Sequence, residues 1–177
     1  MKKTMFLILA EATKRQLPFL LVGGNAVIMF GSLRNTTDID LLVPDSSRSH
    51  WLDLMRDLSF RFFHGTHSFA QFEPTEAGFV AVDLMFVDQD TWQQLLDSSV
   101  EHRIGDIPVR LPKPENLIAM KLHAASSPTR GKPEVDWEDI REIFRGCKID
   151  PADPKVREMV SRYGGEEALR RIDSFPR

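Results

Sequence analysis

The chain has 177 residues, of which 42% are hydrophobic and 28% charged, and its formal net charge is -3. These values fit one ordinary globular domain, or a domain with a small helical appendage, and exclude a disordered chain; the slight acidity also argues against a broad nucleic-acid-coating surface. A single cysteine, Cys147, rules out an internal disulfide and a cysteine-based zinc site, and no apolar stretch approaches the roughly 18 to 20 residues needed to cross a bilayer, so a soluble cytoplasmic protein is expected.

In chain order, MKKTMFLILAEATKRQ begins like a signal peptide, but Glu11, Lys14 and Arg15 interrupt it early and it reads as an amphipathic first helix, with secretion the minor alternative. Pro18 breaks that pattern. Phe19 to Val22 follows as a short buried strand ending at Gly23-Gly24, and Asn25 to Gly31 has helical composition. Arg34 to Thr37 is a polar connection into a second strand, Asp38 to Val43, closed by Pro44. Ser46 or Ser47 suits the N-cap of a helix carrying Trp51, Leu54, Met55 and Leu58 at helical spacing.

Phe60 to His64, Ser68 to Phe72 and Gly78 to Val87 read as strands, the last alternating around Val80, Val82, Leu84 and Phe86. A helix over Asp88 to Leu96 follows, with Asp88 and Asp90 placed for capping, and Gly105-Asp106 sits where a hairpin within Val100 to Leu111 would turn. Thereafter the pattern is helical. Pro114 opens a helix through Ala125, Ser126 to Pro133 is a loop, Asp136 or a neighbour opens a helix through Phe144, and two short helices cover Lys155 to Tyr163 and Glu166 to Ile172. The expected fold is α+β, a mixed β-sheet flanked by helices with a helical C-terminal portion; the expected division is a catalytic core over 1–112 and helices over 113–177.

Asp38-Ile39-Asp40 carries the chemistry. A strand puts residues i and i+2 on one face, about 6 to 7 Å apart at their Cα atoms, so both carboxylates can grip shared metal ions. Two like charges held together need a cation or strong donors to neutralise them. Asp83, in VAVDLMFVD, is a third acid inside an apolar alternating run and completes a candidate metal site. Any one of these acids alone is better explained by pairing with an arginine or by capping a helix; the three beside a glycine turn reverse that weighting.

Gly23-Gly24 suits a turn where phosphate oxygens approach the backbone. Ser32, Arg34, Thr36 and Thr37 are candidate donors, each equally well read as part of a solvated turn. Lys121 stands at the edge of the apolar face of its helix, where a phosphate contact and a snorkelling surface lysine have equal weight, and Arg130 and Lys132 lie in the Pro/Gly loop. Residues 110–177 hold 14 Lys+Arg against 12 Asp+Glu, and residues 1–109 hold 9 against 14, so the carboxylates fall in the acidic part. Histidines at 64, 67 and 123 lack zinc-ligand spacing, and there is no EF-hand or Walker lysine.

Gly23-Gly24, a spacer and then Asp38-Ile39-Asp40 resemble the signature of the DNA polymerase β-type nucleotidyltransferase superfamily. Within it, RNTTDIDLLV, PENLIAMKLHA and RGKPEVDWEDI are similar to the AbiEii-type branch, which includes toxins of toxin-antitoxin systems. The resemblance implies that Asp38, Asp40 and Asp83 are catalytic and hold Mg²⁺, two ions with Mn²⁺ as an alternative, that Gly23, Gly24 and Lys121 contact the nucleotide, and that Asp136 and Asp139 orient basic residues or cap a helix; Ser32, Arg34 and Arg130 are added as candidate phosphate contacts from their own chemistry, with solvated loop charges the commoner reading for Arg130 and Lys132. It further implies transfer of an NMP group from an NTP to a hydroxyl of RNA, protein or a small molecule, with an antitoxin as a possible partner and no role for a membrane. The competing reading is a non-catalytic binding or antitoxin-like module on the same fold. Three retained carboxylates speak against it, since such a module gains little from clustered charge.

Overall fold

DIDLLVP, residues 38–44, forms the strand around which the sheet is built. Ile39 and Leu41 are fully buried on one face, Asp38 and Asp40 are half-buried on the other, and Leu42 and Val43 are buried beyond them. In the computed structural model, which describes residues 2–127 and 131–175, this strand is β2 (Asp38–Pro44). It pairs antiparallel with β1 (Leu20–Leu21) and parallel with β5 (Ala81–Val87). Beyond β5 lie β4 (Phe69–Pro74) and β3 (Phe60–Gly65), both joined antiparallel, which gives the order β1-β2-β5-β4-β3. One parallel junction among antiparallel ones makes the sheet mixed, as the sequence pattern leads one to expect. β5 alternates cleanly between buried Val82, Leu84 and Phe86 and the half-buried Ala81, Asp83, Met85 and Val87.

The chain divides into two compact units, 1–26 with 35–112 and 27–34 with 113–177. In the first, α1 (Lys2–Lys14) buries Met5, Ile8, Leu9 and Ala12, and the buried Thr4 hydroxyl accepts the Val80 backbone N–H at 3.0 Å. α2 (Gly23–Met29) starts directly after β1 and runs from the first unit into the second. A 3₁₀ turn over Asp45–Ser47 leads into α3 (Arg48–Asp57), whose Trp51 is fully buried, stands edge-on to Phe19 and donates to the Pro18 carbonyl at 3.2 Å. Ser47 precedes this helix, yet its hydroxyl donates backward to the Pro44 carbonyl rather than capping. Asp88 does cap α4 (Gln89–Asp97), accepting from the Thr91 N–H at 2.9 Å. β6 (Val100–Ile104) and β7 (Ile107–Leu111) form the expected hairpin, with Ile104 opposite Ile107 and Gly105 at positive φ in the turn.

The second unit packs α5 (Pro114–Ala125) against α6 (Pro133–Gly146) and α7 (Pro154–Ile172). Leu117, Ile118 and Leu122 of α5 are buried, as are Ile140 and Ile143 of α6 and Val160 and Ile172 of α7. α6 begins three residues before the expected Asp136, because Pro133 at the first helical position gives up an N–H that would have no intrahelical partner. Gly165, at φ 68 and ψ -165, kinks α7 between the two short helices expected from the sequence. Gly146 ends α6 against the segment after α2: a Cβ there would lie 2.1 Å from the Phe30 carbonyl oxygen. We expect Gly146→Ala to force that backbone contact apart and destabilise the protein by about 1 to 3 kcal/mol, read from urea unfolding.

Candidate functional site

Parallel pairing of β2 with β5 sets Asp40 directly opposite Asp83 and Asp38 opposite Ala81, so the three aspartates share the half-buried face of the sheet. One carboxylate oxygen from each lies within 4.8 Å of the other two. The structure thus brings together the three acids singled out in the sequence, although Asp83 is separated from Asp40 by two further strands in the chain.

Each acid is held differently. Asp38 accepts a 2.7 Å hydrogen bond at Oδ1 from the Thr36 hydroxyl, and its backbone carbonyl accepts from the Asn25 side-chain amide at 2.8 Å. Asp40 sits over the glycine turn, and its carbonyl accepts from the Val22 N–H at 3.0 Å. Asp83 is half-buried overall, but its Oδ1 is buried and has no hydrogen-bond partner among the described residues. Burial pushes the Asp83 carboxyl up to about 6; a hydrogen bond from the neighbouring Gln71 side chain offsets part of that, and the negative charge of Asp38 adds to it.

Gly23 makes room for this arrangement. It lies at φ +60, and a Cβ on it would stand 1.8 Å from Asp40 Oδ2 and 2.3 Å from Asp40 Cγ. No side chain fits. Gly24 is buried beside it at the start of α2. The oxygen-only donor set and the unpartnered buried Oδ1 suit a hard divalent cation such as Mg²⁺, which would supply what the trio lacks.

Among the other candidates, Ser32, Arg34 and Lys121 lie in the second unit, where Arg34 and Lys121 meet a pair of buried aspartates. Lys121 is 9% exposed, and its Nζ pairs with Asp136 Oδ1 at 3.0 Å and Asp139 Oδ2 at 2.8 Å. Both aspartates are fully buried, and Asp139 also receives Arg34 Nη1 at 2.6 Å on each of its oxygens. The Ser32 hydroxyl accepts from the Arg34 N–H at 3.2 Å. Arg130 lies outside the described residues. The burial of Asp136 and Asp139 has a signal in the sequence: acids three apart, interleaved with Trp137, Ile140 and Ile143, fall on an apolar helical face. Asn25 was visible only as a polar residue between apolar ones, with no pattern to give it a partner.

A family model described as nucleotidyl transferase of unknown function (DUF2204) matches residues 2–172. The chain belongs to that nucleotidyl transferase family. No curated protein matches it in sequence. Among solved structures, this nucleotidyl transferase is similar to the antibiotic-resistance factor ANT(2'')-Ia, at 21% identity and a TM-score of 0.70, over 94% of this chain and 92% of that one. A crystal structure of ANT(2'')-Ia in complex with adenylyl-2''-tobramycin aligns with a TM-score of 0.69 at 21% identity, covering 92% and 95%. The lincosamide antibiotic adenylyltransferase LnuA, bound to lincomycin, aligns at 17% identity with a TM-score of 0.61, over 81% of this chain and 96% of that one. An antigenic nucleotidyltransferase-like protein from Paracoccidioides brasiliensis aligns at 16% identity with a TM-score of 0.60, over 96% and 91%. The fold is the one these nucleotidyltransferase structures share.

Two outcomes follow from the geometry. A carboxyl whose folded pKa is raised stabilises the fold below its unfolded value near 4, and that contribution is lost as the pH climbs through about 6. Without metal, Asp83→Asn therefore removes a charged group that opposes folding at pH 7 and raises stability by on the order of 1 kcal/mol after solvent screening, with a flatter profile between about pH 4 and 7. Thermal melts across that range, in the presence of a chelator, measure it. Gly23→Ala, by contrast, displaces Asp40 and is expected to abolish any melting-temperature rise on adding Mn²⁺, with the far-UV circular dichroism spectrum retained.

Proposed function

We propose that this nucleotidyl transferase is a metal-dependent enzyme that moves an NMP group from an NTP to a hydroxyl of a small molecule. The observation that carries the reading is the buried, unpartnered Oδ1 of Asp83 set against Asp38 and Asp40. A carboxylate left in that state is costly unless a cation or a proton donor meets it during function. Asp38, Asp40 and Asp83 would hold Mg²⁺. When bound, the ion neutralises charge on the phosphates and makes the attacking hydroxyl more acidic.

The chain's own groups then have defined work. Asp38 and Asp40 would hold the cation that draws the nucleotide's phosphate end to the sheet, and the backbone at Gly23 and Gly24, free of side chains, lets phosphate oxygens come close. The Asp83 carboxylate accepts the proton of the acceptor hydroxyl. As that oxygen bonds to the α-phosphorus, the bond from the α-phosphorus to the pyrophosphate oxygen breaks, and pyrophosphate leaves with the electron pair. Lys121 and Arg34, engaged by Asp136 and Asp139, carry no step in this sequence.

A small-molecule acceptor is favoured over RNA or protein by the similarity to ANT(2'')-Ia and LnuA, whose complexes hold adenylyl-2''-tobramycin and lincomycin. ATP is the first donor to test for the same reason. Incubation with each α-labelled NTP, Mg²⁺ and, in separate arms, a panel of hydroxylated antibiotics, total RNA and cell protein is expected to label the small molecules. Chelation should stop the transfer, and Asp40→Asn should lower it by at least about a thousandfold while the protein stays folded. Labelled RNA or protein would move the acceptor class. No labelled product in any arm, with no NTP-dependent rise in melting temperature, would favour the binding module.

A further inference from the structure

Thr36 lies two residues before Asp38, on the short connection into β2, and is half-buried. Its hydroxyl has one proton to give, and that proton goes to Asp38 Oδ1 at 2.7 Å. A phosphate contact by the same hydroxyl would have to break this bond. From below, the buried Asn25 side chain donates to the Asp38 carbonyl, so both the backbone and the carboxylate of Asp38 are tied. Asp38 opens β2 and pairs in register with Ala81, which offers its side chain no polar partner, whereas Asp40 is braced over Gly23. Thr36 is therefore what fixes the direction of the Asp38 carboxylate.

We propose that Thr36 is a positioning residue for the metal site: its hydroxyl holds the Asp38 carboxylate toward Asp40 and Asp83, so that the three oxygens meet before a divalent cation arrives. The inference rests on the metal-site reading given under the proposed function. A donor to a ligating carboxylate restricts its rotation while the ligand remains unbound, and removing such a donor typically weakens metal binding. The β-branched side chain also narrows the χ1 choices of Thr36 itself, which keeps the hydroxyl aimed.

Thr36→Val keeps the shape and removes the donor; Thr36→Ser keeps the donor. Titration of the full-length protein with Mn²⁺ alone, followed by calorimetry and by the metal-induced rise in melting temperature, is expected to show binding about tenfold weaker for Thr36→Val and within about twofold of wild type for Thr36→Ser. The metal-free melting temperature of Thr36→Val should stay near that of wild type, since a residue serving only the fold would shift that value instead. If wild type and Thr36→Val bind Mn²⁺ equally, the positioning role falls and the metal site stands. If wild type does not bind Mn²⁺, the metal-site reading falls and the positioning role with it. If Thr36→Val fails to fold, Thr36→Ala takes its place, and Mn²⁺ affinity equal to wild type there likewise overturns the proposal.

Discussion

Gathering three carboxylates on one half-buried face of a sheet is the constraint to which the first unit is built. Two strands that are distant in the chain run parallel to set Asp40 against Asp83, and a glycine at positive φ clears the volume that Asp40 fills. The fold then spends hydrogen bonds on Asp38, through Thr36 and Asn25, while one oxygen of Asp83 has no partner among the described residues. Such a site is organised for something other than stability, which is the usual mark of a place where charge is handled.

The second unit solves the same problem in the opposite way. Asp136 and Asp139 are more deeply buried than any of the trio, yet Lys121 and Arg34 meet them directly, so the cluster is internally neutral. Breaking one partner of a buried set like this is far more costly than the net contribution of the intact set, because a lone charge would be stranded. Lys121 is thus accounted for by its neighbours. The contrast between a satisfied cluster and an unsatisfied one is what separates the two groups of acids.

Much of this was legible in the sequence, for reasons that differ by residue. The strand around Asp83 declared itself through the alternation of Val80, Val82, Leu84 and Phe86, and the one around Asp38 through two acids a strand repeat apart in an apolar run. The Asp88 cap and the hairpin at Gly105 were readable because local turn chemistry decides both. Partners distant in sequence were not readable: nothing in the chain says that Gln71 lies beside Asp83, or that the Asn25 amide reaches the Asp38 carbonyl. The start of α6 was placed late because the acids that looked like its cap are inside it, buried and paired. Lys121 shows the same limit, since spacing put it at the border of an apolar face and could not say whether solvent or an aspartate waited there.

The eight residues from Val27 to Arg34 belong with the helices of the second unit although both flanks of that segment belong to the first. The polypeptide therefore passes between the units three times, and a cut after residue 112 leaves the first unit whole but carries off eight residues of the second. A fragment ending at residue 112 would carry Phe30 and Arg34 without Gly146 and Asp139, their counterparts. Exchange of the helical part by simple gene fusion at residue 112 would meet the same obstacle, because residues 27–34 of the original chain would stay behind to meet a foreign α6.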